Sequence, residues 1–248
     1  MIGKIKSNKA IIEGKSLYEM VIDCGADAAP GQFVMLLCGN DTTLRRPISI
    51  AESEGGCLTI CYDVRGKGTE WLSERKAGEK IDLLSPIGKG FEVSQSGRAL
   101  LVGGGIGIYP LLPLARAYGD RSTALLGFRS EGMVNYTENF EKYGCNTEYI
   151  TDDRGFVTSL VKNELEKGGY DVIHTCGPRP MMAAVAALAK EYGVKCEVSM
   201  EERMACGVGA CHGCICKTLF KSNEGIEGEH YRRVCVDGPV FDAEEIVW

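Results

Sequence analysis

Five cysteines near the end of the chain constrain it more than any other feature. Cys206, Cys211, Cys214 and Cys216 fall within eleven positions and Cys235 follows nineteen residues later, whereas Cys24, Cys38, Cys57, Cys61, Cys145, Cys176 and Cys196 are scattered among apolar residues. The chain opens Met1-Ile-Gly-Lys-Ile-Lys with no apolar leader, which points to the cytoplasm. In a reducing compartment, twelve thiols serve metal binding or redox chemistry rather than disulfides. The spacing Cys206-x4-Cys211-x2-Cys214 with a distant Cys235 is the plant-type pattern for a 2Fe-2S cluster, three thiolates from one loop and a fourth from elsewhere. Gly207, Gly209 and Gly213 let that loop wrap closely and turn N–H groups toward sulfur.

Two competing readings of the cysteines stand beside this one. Soft thiolates also suit structural zinc, although zinc loops usually arrive as two Cys-x2-Cys knuckles and only one is present. His212 evokes a Rieske centre, which requires two histidines on one iron. Cys216 lies two residues past Cys214, so on an extended segment it is expected to stand aside from the cluster.

The rest of the chain changes rhythm once. Up to residue 98, short runs of β-formers at 18–24, 32–37, 47–51, 57–64 and 80–84 alternate with glycine, with one short helix at 68–76; this reads as a β-barrel or sandwich. From residue 99, strands expected at 99–102, 122–128, 147–150, 171–176 and 195–200 alternate with helices at 109–118, 156–167 and 179–192, the signature of a parallel α/β sheet. The expected organisation is three units, 1–98, 99–199 and 200–248. The last is too small to hold a core without a staple.

Two turns of the second unit carry further chemistry. Gly103-Gly104-Gly105-Ile106-Gly107 follows a buried strand and precedes a helix, where backbone N–H groups can meet an anion. Pro110 stands where the third glycine of the dinucleotide fingerprint would fall, and no acidic residue closes the strand at 122–128. Cys176-Gly177-Pro178 ends another apolar strand and opens a helix, at the sheet edge where ligands of open α/β folds bind. A tight turn without a ligand, and a cysteine that is merely a small buried hydrophobe, are the plainer readings of these two segments.

Together the segments resemble the ferredoxin-NADP reductase superfamily. Arg46-Pro47-Ile48-Ser49 resembles its flavin motif, Tyr62-Asp63-Val64 its strand beside the isoalloxazine, and Gly68-Thr69 its phosphate-binding Gly-Thr. Gly103, Gly104, Gly105 and Gly107, with Cys176, Gly177 and Pro178, are similar to its nicotinamide-nucleotide turns. Within that superfamily, residues 204–214 and 233–241 closely resemble the electron-transfer subunits of type B dihydroorotate dehydrogenase, from which the chain departs by a long insertion between Cys214 and Cys235. The resemblance implies a β-barrel flavin domain, an α/β parallel-sheet nucleotide domain and a small C-terminal iron-sulfur domain. It also implies FAD, a 2Fe-2S cluster on Cys206, Cys211, Cys214 and Cys235, and NAD. The implied partner is an FMN-containing catalytic subunit that oxidises dihydroorotate, in an assembly with two copies of each subunit.

An iron-sulfur centre moves single electrons and nicotinamide takes a hydride, so only a flavin can stand between them. Arg129 would suit a 2′-phosphate and Glu131 a ribose hydroxyl, which leaves NAD against NADP to the resemblance. The alternatives are a reductase component of another flavin and iron-sulfur system linked to sulfide, sulfite or ferredoxin, and a zinc-stapled binding module. Composition excludes other classes. A net charge of -6 provides no field for nucleic acid. The longest uncharged stretch, residues 99–115, is broken by four glycines and two prolines and is too short to span a membrane.

Overall fold

The first unit closes on itself. In a computed structural model that describes residues 1–39, 42–221 and 227–248, the strands β1 (Ile2–Ala10), β2 (Leu17–Asp23), β3 (Phe33–Leu36), β4 (Arg46–Glu54), β5 (Cys57–Asp63) and β6 (Lys80–Ile87) form a barrel in the order β1-β2-β5-β4-β3-β6. Every pairing is antiparallel. Alternation along these strands turns Ile5, Met20, Ile22, Leu58, Ile60 and Leu83 inward as a fully buried core. The short helix α1 (Lys67–Ser73) follows β5, and its Leu72 packs into that core.

The second unit is a six-stranded sheet in the order β14-β11-β10-β7-β8-β9, built from β7 (Ala99–Gly104), β8 (Ser122–Phe128), β9 (Asn146–Thr151), β10 (Val172–Cys176), β11 (Lys195–Ser199) and β14 (Val240–Asp242). Five strands are parallel, and β14 joins β11 antiparallel. The connecting helices are α2 (Leu112–Tyr118), α3 (Thr137–Lys142), α4 (Val157–Lys167) and α5 (Arg179–Tyr192). A single helix expected at 109–118 is in fact a 3-10 segment, Gly105–Leu111, followed by α2. Pro110 removes a donor that an α-helix would need, and the tighter turn absorbs the loss; Pro113 sits in the first turn of α2, where no N–H is required.

The segment after residue 200 does not stand apart. A hairpin, β12 (Ile215–Lys221) with β13 (Glu227–Arg233), projects from it, and β14 then returns to the edge of the sheet. Cys214, Cys216, Val234, Cys235, Phe241 and Ile246 share one buried cluster with Val198 and Met200 of the sheet region and Phe33 and Met35 of the barrel. A segment too small for a core of its own thus borrows one from its neighbours.

Polar contacts lock barrel and sheet together. The Tyr143 hydroxyl donates to Glu52 at 2.5 Å, Arg116 pairs with Glu54 at 3.0 Å, and the Tyr136 hydroxyl donates to Glu19. The segment between β6 and β7 is pinned by Glu197, which accepts the Glu92 amide and stands 3.1 Å from Nδ1 of the fully buried His174. Among the described residues, no helix is long and apolar enough to cross a membrane.

Candidate functional site: an interdomain cleft and its cysteine loop

The barrel and the sheet enclose a cleft of about 620 Å³. From the barrel it is lined by Arg46, Pro47, Ile48 and Ser49 of β4, Tyr62 and Asp63 of β5, and Thr69 of α1. From the sheet come Gly104, Gly105 and Gly107 after β7, and Cys176, Gly177 and Pro178 after β10. Three expected residues do not line it. Gly103 is buried inside β7, Val64 donates its amide to the Ser16 carbonyl at 2.8 Å, and Gly68 lies behind Arg46.

Among the described residues that line the cleft, Arg46 is a cation without a carboxylate partner. Its neighbour Arg45 is paired with Asp82 at 2.9 Å, while Arg46 has no carboxylate partner among the described residues and donates only to the Leu44 carbonyl at 2.8 Å. A Cβ at Gly68 would lie 2.5 Å from Nε of Arg46, so α1 can press against the guanidinium only with glycine there. Thr69 lines the cleft with its hydroxyl engaged locally. Helix α1 opens at Lys67, and the Thr69 hydroxyl accepts the Arg65 and Gly66 amides at 2.9 and 3.2 Å, which shapes the turn and leaves less of the hydroxyl for a ligand. The Tyr62 hydroxyl is likewise engaged, donating to Asn8 at 2.9 Å, and Asp63 pairs with Arg65 at 2.8 Å.

The two glycine turns interlock. A Cβ on Gly107 would lie 2.3 Å from the Cys176 carbonyl oxygen, and one on Gly104 2.6 Å from Sδ of Met181. Gly177 has φ +152°, and a Cβ there would approach the Gly104 nitrogen to 3.0 Å. These contacts seat the loops after β7 and β10 directly on each other at the carboxyl edge of the sheet, the switch-point position for nucleotides. Burial pushes the Cys176 thiol up to about 12, against a lowering hydrogen bond from Ser199; it is a neutral thiol at the cleft wall.

The thiols of the C-terminal loop fall into two pairs. Cys206 and Cys211 interact through their side chains, and so do Cys214 and Cys235. The amides of Val208 and Cys211 each donate to Sγ of Cys206 at 3.4 Å, and that of Gly213 to Sγ of Cys211 at 3.4 Å. Those amides hold the Cys206 thiol down to about 6. Burial and the Cys214 contact push Cys235 up to about 12. The hairpin explains how residue 235 reaches residue 214: Ile215 pairs with Arg233, and the Val234 amide donates to the Cys214 carbonyl at 2.8 Å. Cys216 is buried in β12 within the hydrophobic cluster.

Among the described residues, no three His, Cys, Asp or Glu side chains converge on one point able to hold a single ion. Thiols that interact as Cys206 with Cys211 and Cys214 with Cys235, with amides aimed at sulfur, suit two irons with two thiolates each. Other residues at the site were not expected from sequence: Tyr109, Arg179, Glu201, Met204 and Pro239 also line the cleft. Arg179 adjoins the Cys-Gly-Pro turn, and Met204 and Pro239 fall inside the stretches 204–214 and 233–241 that carry the family resemblance. Met204, two residues before Cys206, makes the cysteine loop part of the cleft wall.

A β-barrel followed by a parallel sheet, with a nucleotide-sized cleft between them and a thiolate loop beside it, defines a flavin and iron-sulfur reductase of the ferredoxin-reductase type. Residues 201–247 match the family model described as the iron-sulfur cluster binding domain of dihydroorotate dehydrogenase B. A relative from Caldanaerobacter subterraneus subsp. tengcongensis, the "dihydroorotate dehydrogenase B (NAD(+)), electron transfer subunit", is 40% identical over 100% of this chain and 98% of its own. The protein of the same name from Fusobacterium nucleatum is 39% identical over 88% and 86%. The chain belongs to the family of dihydroorotate dehydrogenase B electron transfer subunits. Among solved structures, the NADH-dependent reduced ferredoxin-NADP oxidoreductase involved in flavin-based electron bifurcation superposes with a TM-score of 0.84 at 29% identity, covering 100% of this chain and 90% of that one. The ferredoxin reductase of carbazole 1,9a-dioxygenase shares the fold, with a TM-score of 0.66 at 23% identity over 78% and 66%.

Proposed function

We propose that this chain carries electrons between NAD and an FMN-containing dihydroorotate dehydrogenase catalytic subunit, through FAD and a 2Fe-2S cluster, in pyrimidine biosynthesis. The observation that carries the reading is the shared wall. One cleft sets the barrel arginine segment opposite both glycine turns, and the cysteine loop enters the same cleft at Met204.

Arg46 would pair bidentately with the flavin pyrophosphate, and Ser49 would hydrogen-bond near the ring. Pro47, Ile48, Tyr62 and Asp63 would shape the barrel wall beside the flavin, Val64 would tie the end of that strand to Ser16, and Gly68 and Thr69 would form the turn that backs Arg46. Gly104, Gly105, Gly107 and Gly177 would admit the nicotinamide nucleotide and keep its approach free of Cβ atoms, Pro178 would close the turn beside them, and Gly103 behind them would leave room for Ile108. Cys176 would stand as an uncharged thiol beside the nicotinamide. Cys206, Cys211, Cys214 and Cys235 would hold the irons, their charge offset by the amides that already face sulfur. When bound, FAD supplies the conversion between hydride and single-electron transfer. We assign the units 1–98, 99–199 and 200–248 to FAD, NAD and the cluster, with β14 of the third completing the sheet of the second. Twelve cysteines, none of them in a disulfide, support a cytoplasmic location.

The test is to express the chain with its partner and purify both anaerobically. The expected product is a brown-yellow complex containing FAD, FMN, iron and sulfide that is bleached by NADH and oxidises dihydroorotate with NAD. A colourless zinc protein overturns the proposal. The ferredoxin-linked structure that matches the whole chain keeps a second reading, a reductase component of another flavin and iron-sulfur system. Copurification without dihydroorotate oxidation would favour it.

A further inference from the structure

The cysteine loop meets the barrel at Gly207. Gly207 has φ +70°, and a Cβ there would lie 2.7 Å from Cγ of Met35 and 3.2 Å from its Sδ and Cε. Met35 is fully buried in β3 and belongs to the same hydrophobic cluster as Cys214 and Cys235. Within the barrel wall its partner on the neighbouring strand β4 is Pro47, which lines the cleft. One side chain therefore touches the backbone of the thiolate loop, while its own backbone is hydrogen-bonded into the strand that carries Arg46 and Ser49.

We infer that Met35 is the positioning residue that couples the two redox sites: it fills the space between the Gly207 backbone and the strand that holds the flavin, excludes water from it, and supplies the packed path for single electrons. The inference rests on the functional reading above and deepens it. Electron transfer weakens steeply across unfilled space and much less across atoms in van der Waals contact, so a void here acts on this step alone. Methionine is suited to the place, because its unbranched, polarizable side chain fills an irregular gap. The glycine opposite is required because any larger residue would displace Met35 or lift the loop.

The reaction affected is simple to balance. NADH gives the flavin a hydride, two electrons and one proton, and leaves as NAD. With both groups bound, the cluster would accept electrons from the flavin one at a time, and Met35 would supply the packed contact between the two sites.

The test uses the full chain purified with its FAD and cluster, mixed rapidly and anaerobically with NADH. Flavin bleaching reports the hydride step, and the paramagnetic signal of the reduced cluster, in samples frozen over time, reports the next. FAD, iron and sulfide are counted in every preparation. In Met35→Ala, bleaching should keep its rate while cluster reduction slows by roughly tenfold or more, because the packed contacts at Gly207 are lost. Met35→Leu, which conserves volume, should restore cluster reduction to within roughly threefold. If Met35→Ala does not retain its cluster, Met35→Val keeps a β-former in the strand and should show an intermediate delay. Cluster reduction at the parent rate, in an alanine or valine variant with full FAD and iron, overturns the inference. A parent chain without FAD, without a cluster or without bleaching by NADH would instead overturn the functional reading on which it rests.

Discussion

The cleft and the cysteine loop adjoin each other but are built from opposite materials. At the cleft, the essential feature of Gly104, Gly107 and Gly177 is the missing side chain, since backbone and neighbouring atoms already occupy the positions where Cβ atoms would sit. In the loop, the essential feature is the side chain itself. On the proposed ligand assignment four sulfurs are presented, two from a largely open turn and two from the buried base of a hairpin. The first site is therefore vulnerable to added atoms and the second to removed ones, and substitutions of each kind can break or sharpen that contrast.

The largest expected effect is Cys235→Ser. Iron and sulfide should fall to near zero per chain while FAD stays, because the barrel does not depend on this sulfur. Cys216→Ser should retain both. Metal and flavin analysis decides, and a cluster that survives at 235 but not at 216 would reverse the ligand assignment.

Next comes an added methyl group. Gly107→Ala places a Cβ against the Cys176 carbonyl oxygen, so stability should fall by about 1–3 kcal/mol, as for an overpacked core, and Tm by roughly 2–12 °C for a chain of this size. Bleaching by NADH should slow at the same time, while iron content is unchanged. A Gly107→Ala protein that melts and bleaches like the parent would remove the basis for a preformed cleft.

Arg46→Ala should weaken flavin retention by about 10–100-fold, the scale of a lost charged hydrogen-bond pair. Titration of FAD into stripped protein measures it, and the thiolate loop should be indifferent.

The smallest effect is away from both sites. Burial alone would raise the Glu197 carboxyl, but hydrogen bonds from His174, Lys195 and the Glu92 amide bring it below the ordinary glutamate value of 4.5. A depressed carboxyl contributes stability that is complete above the unfolded-state value and is lost as pH falls through the folded-state one. Glu197→Gln should therefore destabilise by about 1 kcal/mol at neutral pH, and the gap from the parent should narrow as pH drops below about 4.5. Denaturant melts at several pH values test this, and a gap that widened in acid would contradict the assigned sign.

Much of the fold was legible locally. The strand at 122–128 and the helix at 179–192 have the bounds expected from pattern, since a buried parallel strand and a helix opened by proline and ended by glycine both announce themselves. Other elements were not legible. The 3-10 segment at Gly105–Leu111 lies in a glycine-proline stretch whose turn geometry depends on what packs against it. Helix α3 begins after Tyr136, which adopts a left-handed conformation while its hydroxyl reaches Glu19 of the barrel, 117 residues away. No local pattern encodes that contact.

Taken alone, the order of residues determined the barrel-then-sheet succession, the two glycine turns and the grouping of thiols, because each depends on neighbours a few positions apart, where side-chain period and backbone freedom act directly. Only the folded chain decided which parts meet. It laid Gly107 on Cys176, returned β14 to the sheet edge, used a hairpin to bring Cys235 beside Cys214, and set Gly207 against Met35. These are contacts between distant segments, selected by how buried surfaces pack together, and a one-dimensional pattern carries no record of that fit.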